Sequence, residues 1–340
     1  MTYQDVLDNA RKNMTPNCRV CRECNGVACR GEIPGVGGKG SGGSFIRNCE
    51  QLKKVRVNMD LIYEDRGQDT LTELFGRTFA APVFAAPISG LSNNYNGLLN
   101  ERTYAGALVP GCIGAGCAAF TGDGAPDNFL TDPLEAVKAA GGVAVPTVKP
   151  WEGDVLRKKL DLVKASGAMA VAMDIDAAGL PLLAAAGKTV HAKSVPELAE
   201  IASYTGRPFL LKGIMTPIGA VKAVECGAYG IVVSNHGGRV IDQTPATIEV
   251  LPEIKAVVRG KIRIFVDGGF RTGVDVFKAL ALGADAVLIG RPYVVAACGG
   301  GEEGVVLYTK KIIAELKETM KMTGCAAIRD ITADKVRIMK

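Results

Sequence analysis

The chain has two histidines, and one of them stands where a buried strand should end. An apolar run over 230–233 leads directly into Ser234, Asn235, His236, two glycines and Arg239. A neutral imidazole accepts a proton near pH 7, and glycines let the backbone approach a ligand closely. The planar guanidinium of Arg239 matches a carboxylate. The pattern predicts a general base beside an acid-binding arginine, and the alternative is a loop histidine that caps a helix.

The preceding apolar run, PFLLK (208–212), ends in a lysine that has no solvent to reach. Lys212 therefore needs an anion or an electron-rich ring nearby, and the alternative is a structural ion pair.

Two later runs end in DGGFRTG (267–273) and IGRP (289–292). Free N–H groups at a helix start, with Arg271 and Arg291 close by, are typical of the phosphate site after the last two strands of a barrel. The alternative is that the glycines serve only tight turns. The pattern predicts a phosphate and does not indicate a reaction.

Four cysteines, Cys18, Cys21, Cys24 and Cys29, have the spacing C-x2-C-x2-C-x4-C. The spacing is close to the bacterial ferredoxin pattern but has four residues before the last cysteine and no following proline. We expect a metal centre, a [4Fe–4S] cluster before a zinc ion, with free or redox-active thiols as the alternative. The glycine-rich stretch 35–45 lacks the spacing of a nucleotide-binding loop, which favours a flexible lid or hinge.

The elements that must position these residues begin near Pro82. Short apolar runs, each bounded by Gly, Pro, Asp or Ser, recur between amphipathic stretches, as buried strands alternating with helices should. The eight runs are 82–87, 117–121, 143–148, 168–174, 208–212, 230–234, 263–267 and 286–290. This count predicts an α/β fold, a (β/α)8 TIM barrel, with an open doubly wound sheet as the alternative. We expect an N-terminal helix over 1–15, a Cys/Gly-rich covering segment within 1–79, and the barrel over 80–340.

Composition excludes several classes of protein. The 340 residues are 48% apolar and 22% charged, and 40 Lys and Arg against 35 Asp and Glu leave a net charge of +5. That balance does not predict nucleic-acid binding. No apolar run reaches the length of a membrane span, and residues 1–12 lack the apolar core of a signal peptide. We expect a cytoplasmic protein whose ten cysteines serve as thiols or metal ligands rather than disulfides.

With Lys212, SNHGGR, DGGFR and GRP in this order, the chain resembles the FMN-dependent α-hydroxy acid oxidases and dehydrogenases, which include glycolate and lactate oxidases. The resemblance covers about residues 80–295. It implies that FMN accepts the electrons, that His236 is the base, that Asp174 orients it, and that Lys212 lies against the flavin and takes part in catalysis. Substrate-binding residues would be Arg239 and Lys149. Cofactor contacts would come from Ala86, Pro87, Ile88, Gly122, Thr147, Lys212, Ser234, Asp267, Gly269, Arg271, Gly290 and Arg291.

The chain also departs from that family. Thr147 and Lys149 stand where the family usually has a glutamine and a tyrosine, and the N-terminal segment has no counterpart of the substrate-contacting tyrosine. Lys149 favours a more anionic substrate, such as a dicarboxylate or a phosphorylated acid. The second histidine, His191, fits a surface position better than a ligand.

Three functions remain open at this point. The first is oxidation of a small-molecule L-2-hydroxy acid, with an unidentified electron acceptor, by a homo-oligomer. The second is an FMN barrel of other chemistry, such as a type 2 isopentenyl diphosphate isomerase or an IMP-dehydrogenase-like enzyme, which leaves SNHGGR unexplained. The third is a flavin and cluster electron carrier, in which His236 and Arg239 would have no purpose.

Overall fold

The computed structural model describes residues 1–95, 97–187 and 190–339. Its strands are β1 (Val55–Val57), β2 (Thr72–Leu74), β3 (Arg77–Phe79), β4 (Val83–Ala85), β5 (Ala118–Thr121), β6 (Ala144–Val148), β7 (Val171–Asp174), β8 (Phe209–Ile214), β9 (Gly230–Val233), β10 (Arg263–Val266), β11 (Ala286–Ile289) and β12 (Val336–Ile338). Its helices are α1 (Tyr3–Met14), α2 (Gly43–Lys54), α3 (Leu91–Asn94), α4 (Glu101–Gly114), α5 (Asn128–Ala139), α6 (Gly153–Ala165), α7 (Pro181–Ala185), α8 (Val195–Thr205), α9 (Pro217–Glu225), α10 (Thr247–Val258), α11 (Gly273–Ala281) and α12 (Arg291–Lys321).

Strands β4 to β11 form a closed parallel barrel, with β11 paired to β4. Each of the eight strands lies within one of the apolar runs identified in the sequence or overlaps it, so the predicted barrel is confirmed. The strands are buried on both faces, which explains why they read as continuous apolar runs rather than as alternating ones. Thr272 caps α11, the helix that follows β10, through the backbone N–H of Asp275.

Aromatic side chains fill the barrel interior. Phe84, Phe120 and Phe265 are fully buried, and their ring centroids lie 6.0–6.2 Å apart. From the β2–β3 hairpin, the ring of Phe75 stacks on Phe265, and its N–H donates to the hydroxyl of Tyr229, just before β9. The hairpin therefore covers the N-terminal end of the barrel, which leaves the C-terminal end for chemistry.

The N-terminal residues pack against the outside and top of this barrel. α1 lies on α12 so closely that a Cβ at Gly299 would stand 1.9 Å from the carbonyl oxygen of Val6. Between α1 and α2 the chain forms only turns and bends. β1 pairs antiparallel with β12, which joins the segment before the barrel to the last described residues.

Candidate active site

A cavity of about 300 Å³ opens at the C-terminal ends of the barrel strands, and we call it the barrel-mouth cavity. Most of the predicted site residues line it: Ala86, Pro87, Ile88, Gly122, Lys149, Asp174, Lys212, His236, Arg239, Asp267, Gly269, Arg271, Gly290 and Arg291. Thr147 and Ser234 are buried beside it without lining it. Every barrel strand thus contributes to one site, as strand-end positions in a barrel require.

The imidazole of His236 is held by two contacts. Its Nδ1 lies 3.0 Å from Oδ1 of Asp176, and its backbone N–H donates to Oγ of Ser234 over 3.1 Å. The backbone of His236 has a φ of 57°, a left-handed conformation that is unfavourable for a side chain with a Cβ. Such strain persists where the surrounding contacts enforce it, and it is often found at functional sites.

Asp176 reaches the histidine because the neighbouring strand makes room for it. A Cβ at Gly213 of β8 would stand 2.7 Å from Cβ and Cγ of Asp176, and the φ of Gly213 is 106°. The register of β8 against β9 also shifts between Lys212 and Ile214. Glycine at this irregularity is therefore what admits the carboxylate.

Asp174 has different partners from those the resemblance implied. Its Oδ2 lies 2.6 Å from Nζ of Lys149, and its Oδ1 lies 3.1 Å from Nζ of Lys212. Burial alone would raise the pKa of this carboxyl, but the two ammonium groups hold the pKa far below its usual range. Both oxygens of Asp174 are thus directed at lysines, and the carboxylate in contact with Nδ1 of His236 is that of Asp176.

Lys212 lies between two carboxylates. Its register partner across the β7–β8 ladder is Asp174, and Oδ2 of Asp267 lies 3.6 Å from its Nζ. Burial disfavours the ammonium, yet the two carboxylates raise the pKa of Lys212 above its ordinary value. The ion pair considered as an alternative therefore exists, and it keeps a positive charge at the wall of the cavity.

Asp174, Asp176 and His236 also place one ligand atom each within 4.8 Å of one another. A cation there would have to compete with the ammonium groups of Lys149 and Lys212, which already neutralise Asp174. The arrangement suits proton chemistry better than metal binding.

Arg239 binds the N-terminal segment. Its Nη1 donates to the carbonyl oxygens of Gly35 and Gly37 over 2.8 and 2.9 Å, and its Nη2 donates to Oδ1 of Asn94 over 3.0 Å. Among the described residues, Nε of Arg239 has no acceptor. Burial, with the nearby guanidinium of Arg291, lowers the pKa of Arg239 to about 10, so the side chain is charged at neutral pH.

Arg271 and Arg291 also line the barrel-mouth cavity. Nε of Arg291 donates to the carbonyl oxygen of Val36 over 2.8 Å, and its guanidinium lies 3.8 Å from the ring centroid of Phe45. Nε of Arg271 donates to the carbonyl oxygen of Cys24 over 3.2 Å. The glycine-rich stretch expected as a flexible lid or hinge is thus hydrogen-bonded to the barrel in this structure.

Cys18, Cys21, Cys24 and Cys29 do not line the barrel-mouth cavity. They line a second cavity of about 720 Å³, which we call the thiol cavity. All four are free thiols, and within the described ranges no three of their sulfur atoms lie within 4.8 Å of one another.

Comparison with known proteins decides the family. The model of the FMN-dependent dehydrogenase family matches residues 36–182 and 183–338. The chain belongs to this family. An L-lactate oxidase of Lacticaseibacillus rhamnosus (strain LMS2-1) is 32% identical to this family member over 339 residues, covering 92% of this chain and 91% of that protein.

Other relatives match a shorter part of the chain at higher sequence identity. The peroxisomal (S)-2-hydroxyacid oxidase GLO3 of Arabidopsis thaliana is 55% identical over 139 residues, which are 40% of this chain and 37% of the length of that relative. The crystal structure of mandelate oxidase with (S)-2-phenylpropionate has the same fold, with a TM-score of 0.81, 26% identity and coverage of 99% and 98% of the two chains. In the described part of this family member, no helix combines the length and apolarity that a membrane span requires.

The residues present fit the cofactor of this family. Among the buried polar atoms near the barrel mouth that have no hydrogen-bond partner in the described ranges are Thr121 Oγ1, Thr147 Oγ1, Asp267 Oδ1 and Arg271 Nη2. Buried polar atoms normally have partners, so these atoms indicate a missing polar ligand. FMN offers amide and carbonyl groups, ribityl hydroxyls and a phosphate, which suit hydroxyl, carboxylate and guanidinium partners respectively.

Sequence reasoning missed several residues of this family member's site. Asp176 stands two positions after Asp174, in the turn that follows β7. Tyr95 lines both cavities from a loop with no recognisable pattern. Asp123 is fully buried and accepts from the backbone N–H of Lys149, from Trp151 Nε1 and from Lys159 Nζ. Only the DID spacing of Asp176 offered a signal in the sequence.

Proposed function

We propose that this chain oxidises a 2-hydroxy acid to the 2-oxo acid with FMN bound in the barrel-mouth cavity. The observation that carries the proposal is the meeting of a His236–Asp176 pair, Arg239 and Lys212 around one cavity at the strand ends. The names of the relatives, lactate and 2-hydroxyacid oxidases, support the same reaction class.

Bound FMN would accept the two electrons and the hydrogen that leave the α-carbon. His236 would take the proton of the substrate hydroxyl at Nε2, because its Nδ1 faces the carboxylate of Asp176. That carboxylate fixes the ring and stabilises the imidazolium that forms. Asp176 thus orients the base in this proposal, and Asp174 neutralises two lysines.

Arg239 would bind the substrate carboxylate. Its Nη1 is fixed by the carbonyl oxygens of Gly35 and Gly37, whereas Nε has no acceptor among the described residues and remains for the substrate. Lys212 would stabilise negative charge that develops on the flavin.

The remaining cofactor contacts would come from strand-end residues around the cavity. Those we expect to hold FMN are Ala86, Pro87, Ile88, Gly122, Thr147, Ser234, Asp267, Gly269, Arg271, Gly290 and Arg291. Gly122 contributes through packing, because a Cβ there would stand 2.9 Å from the carbonyl oxygen of Ile88. It allows the segment after β4 to lie against the loop after β5.

The substrate we favour is a small 2-hydroxy monocarboxylate. Lys149, which suggested a dicarboxylate or phosphorylated acid, already has Asp174 as its counter-ion at 2.6 Å. A second acidic group on the substrate would therefore have to compete with Asp174 for that ammonium.

The test compares His236→Ala with His191→Ala, a change at the other, exposed histidine. Both proteins are loaded with FMN and mixed anaerobically with lactate, glycolate, malate or 2-hydroxyglutarate while flavin absorbance is followed. We expect both to retain FMN, His191→Ala to bleach normally, and His236→Ala to lose at least about 100-fold in rate, the usual contribution of a general base. Normal bleaching by His236→Ala, or failure of the parent protein to bind FMN, would contradict the proposal.

A further inference from the structure

The cysteine segment, residues 18–29 with its four cysteines, plays no part in the proposed oxidation. It contains neither helix nor strand, and Val20 is its one buried apolar side chain beyond glycine and cysteine. A stretch that buries so little apolar surface needs another source of order, and a bound metal is a common one in small cysteine-rich segments.

All four thiols of the segment face one volume. Cys18, Cys24 and Cys29 are partly buried, Cys21 is exposed, and each lines the thiol cavity of about 720 Å³. Thiolates that share one volume repel one another, so four of them would need a cation between them.

The charges around the thiol cavity favour a bound anion. Seven basic side chains line it, among them Arg11, Lys53, Arg271 and Arg291, against two acidic ones, Glu23 and Asp275. Nη2 of Arg271 is buried and has no hydrogen-bond partner among the described residues. An iron–sulfur centre bound by four thiolates carries net negative charge and sulfide acceptors, so it matches this lining.

The two candidate centres require different spacings between the sulfur atoms. Four thiolates around one zinc ion stand about 3.8 Å apart, since each Zn–S bond is about 2.3 Å long and the geometry is tetrahedral. Within the described ranges no three sulfur atoms of the segment lie even within 4.8 Å. A four-iron cluster binds each cysteine to a different iron and therefore keeps its thiolates farther apart.

We propose that the cysteine segment binds a [4Fe–4S] cluster in the thiol cavity. The cluster would share a wall with the barrel-mouth cavity, because Val36, Tyr95, Gly269, Arg271 and Arg291 line both. This proposal does not depend on the reaction assigned to the FMN site, because the iron content and the flavin content of the protein are measured separately.

The experiment uses the full chain, purified anaerobically and reconstituted with ferrous iron and sulfide. We expect about four iron and about four sulfide per chain, with an electron paramagnetic resonance signal after reduction by dithionite. Cys21→Ser, a change at an exposed position, and the double variant C21S/C24S should lose the sulfide and the signal while retaining FMN.

Cys226→Ser is the matched control. Cys226 lies outside the thiol cavity, at the end of α9, where its Sγ contacts the carbonyl oxygen of Ala223 at 3.2 Å. A serine can keep that contact, so iron, sulfide and FMN should all be unchanged. Absence of iron and sulfide from the reconstituted parent chain would overturn the proposal, as would one zinc per chain or equal loss in Cys226→Ser.

Discussion

His236 and its carboxylate partner show what single residues decide in this site. Asp174 ends β7 and Asp176 lies in the following 3-10 turn, Ile175–Gly179. The sequence shows two carboxylates in DID but not where the backbone leaves the strand, so it could not predict which of them faces His236. Asp174 forms ion pairs with lysines, whereas Asp176 contacts the imidazole of His236.

Replacing Asp176 by Asn should slow flavin reduction by at least about 100-fold, because the imidazolium loses its counter-charge while FMN contacts remain. Stopped-flow measurement of flavin bleaching at saturating substrate gives the rate constant. Asp154→Asn, at an exposed position in the first turn of α6, should match the parent chain. Parental rates for Asp176→Asn would show that the pair with His236 has no role.

Asp174→Asn should destabilise the protein by about 3 kcal/mol, because it leaves the buried ammonium of Lys149 without its carboxylate. Urea unfolding with saturating FMN measures this loss. Glu64→Gln, which breaks an exposed pair with Arg66, should cost less than about 1 kcal/mol.

The pH dependence has a definite sign. The pKa of Asp174 is lowered in the folded protein, so its contribution should be complete above about pH 4 and fall only as the pH drops below that. A difference between Asp174→Asn and the parent that vanished at neutral pH would contradict this assignment.

At the scale of elements, β8 does more than close the barrel. The sequence predicts its apolar core over 208–212, whereas the strand continues to Ile214 through an irregular register with β9. An irregularity of this kind arises from what the neighbouring element places beside it, here the side chain of Asp176 against Gly213. Local periodicity carries no information about such a contact.

Gly213→Ala should therefore slow flavin bleaching by at least tenfold, because the new Cβ would displace Asp176 from His236. Gly206→Ala is the control, since that glycine also has a positive φ but a Cβ added there would have no atom within 4 Å. Both variants carry the backbone strain, and only the first touches the site. Equal activity of the two variants would refute the steric argument.

For the whole molecule, the barrel could be predicted and the path of the N-terminal residues could not. Each barrel strand is an apolar run bounded by Gly, Pro, Asp or Ser, so the local sequence is enough to predict it. Residues 35–44 are held against the barrel by hydrogen bonds to residues far away in the sequence. Lys39 Nζ donates to the carbonyl oxygens of Gly179 and Val240, and Ser41 donates to Asp242. Partners about 140 and 200 positions away leave no local pattern.

Asp242→Ala should release this part of the chain. The carboxylate accepts from N–H and Oγ of Ser41 over 2.7 Å each, and such charge-assisted bonds contribute about 1.5–3 kcal/mol each. Limited proteolysis should cut residues 16–48 at least tenfold faster than in the parent, with the barrel intact. Asp334→Ala, at an exposed position near the C-terminus, should leave the cleavage rate unchanged. An unchanged rate for Asp242→Ala would contradict this anchoring role.

The wall shared by the two cavities has a thermodynamic consequence. Arg271 and Arg291 each line both sides, so a ligand that fixes either guanidinium on one side changes the free energy of binding on the other. Such coupling is reciprocal: the factor by which iron loading alters the affinity for FMN must equal the factor by which FMN alters the affinity for the cluster. The affinity of the chain for either FMN or the cluster would then report whether the other one is bound.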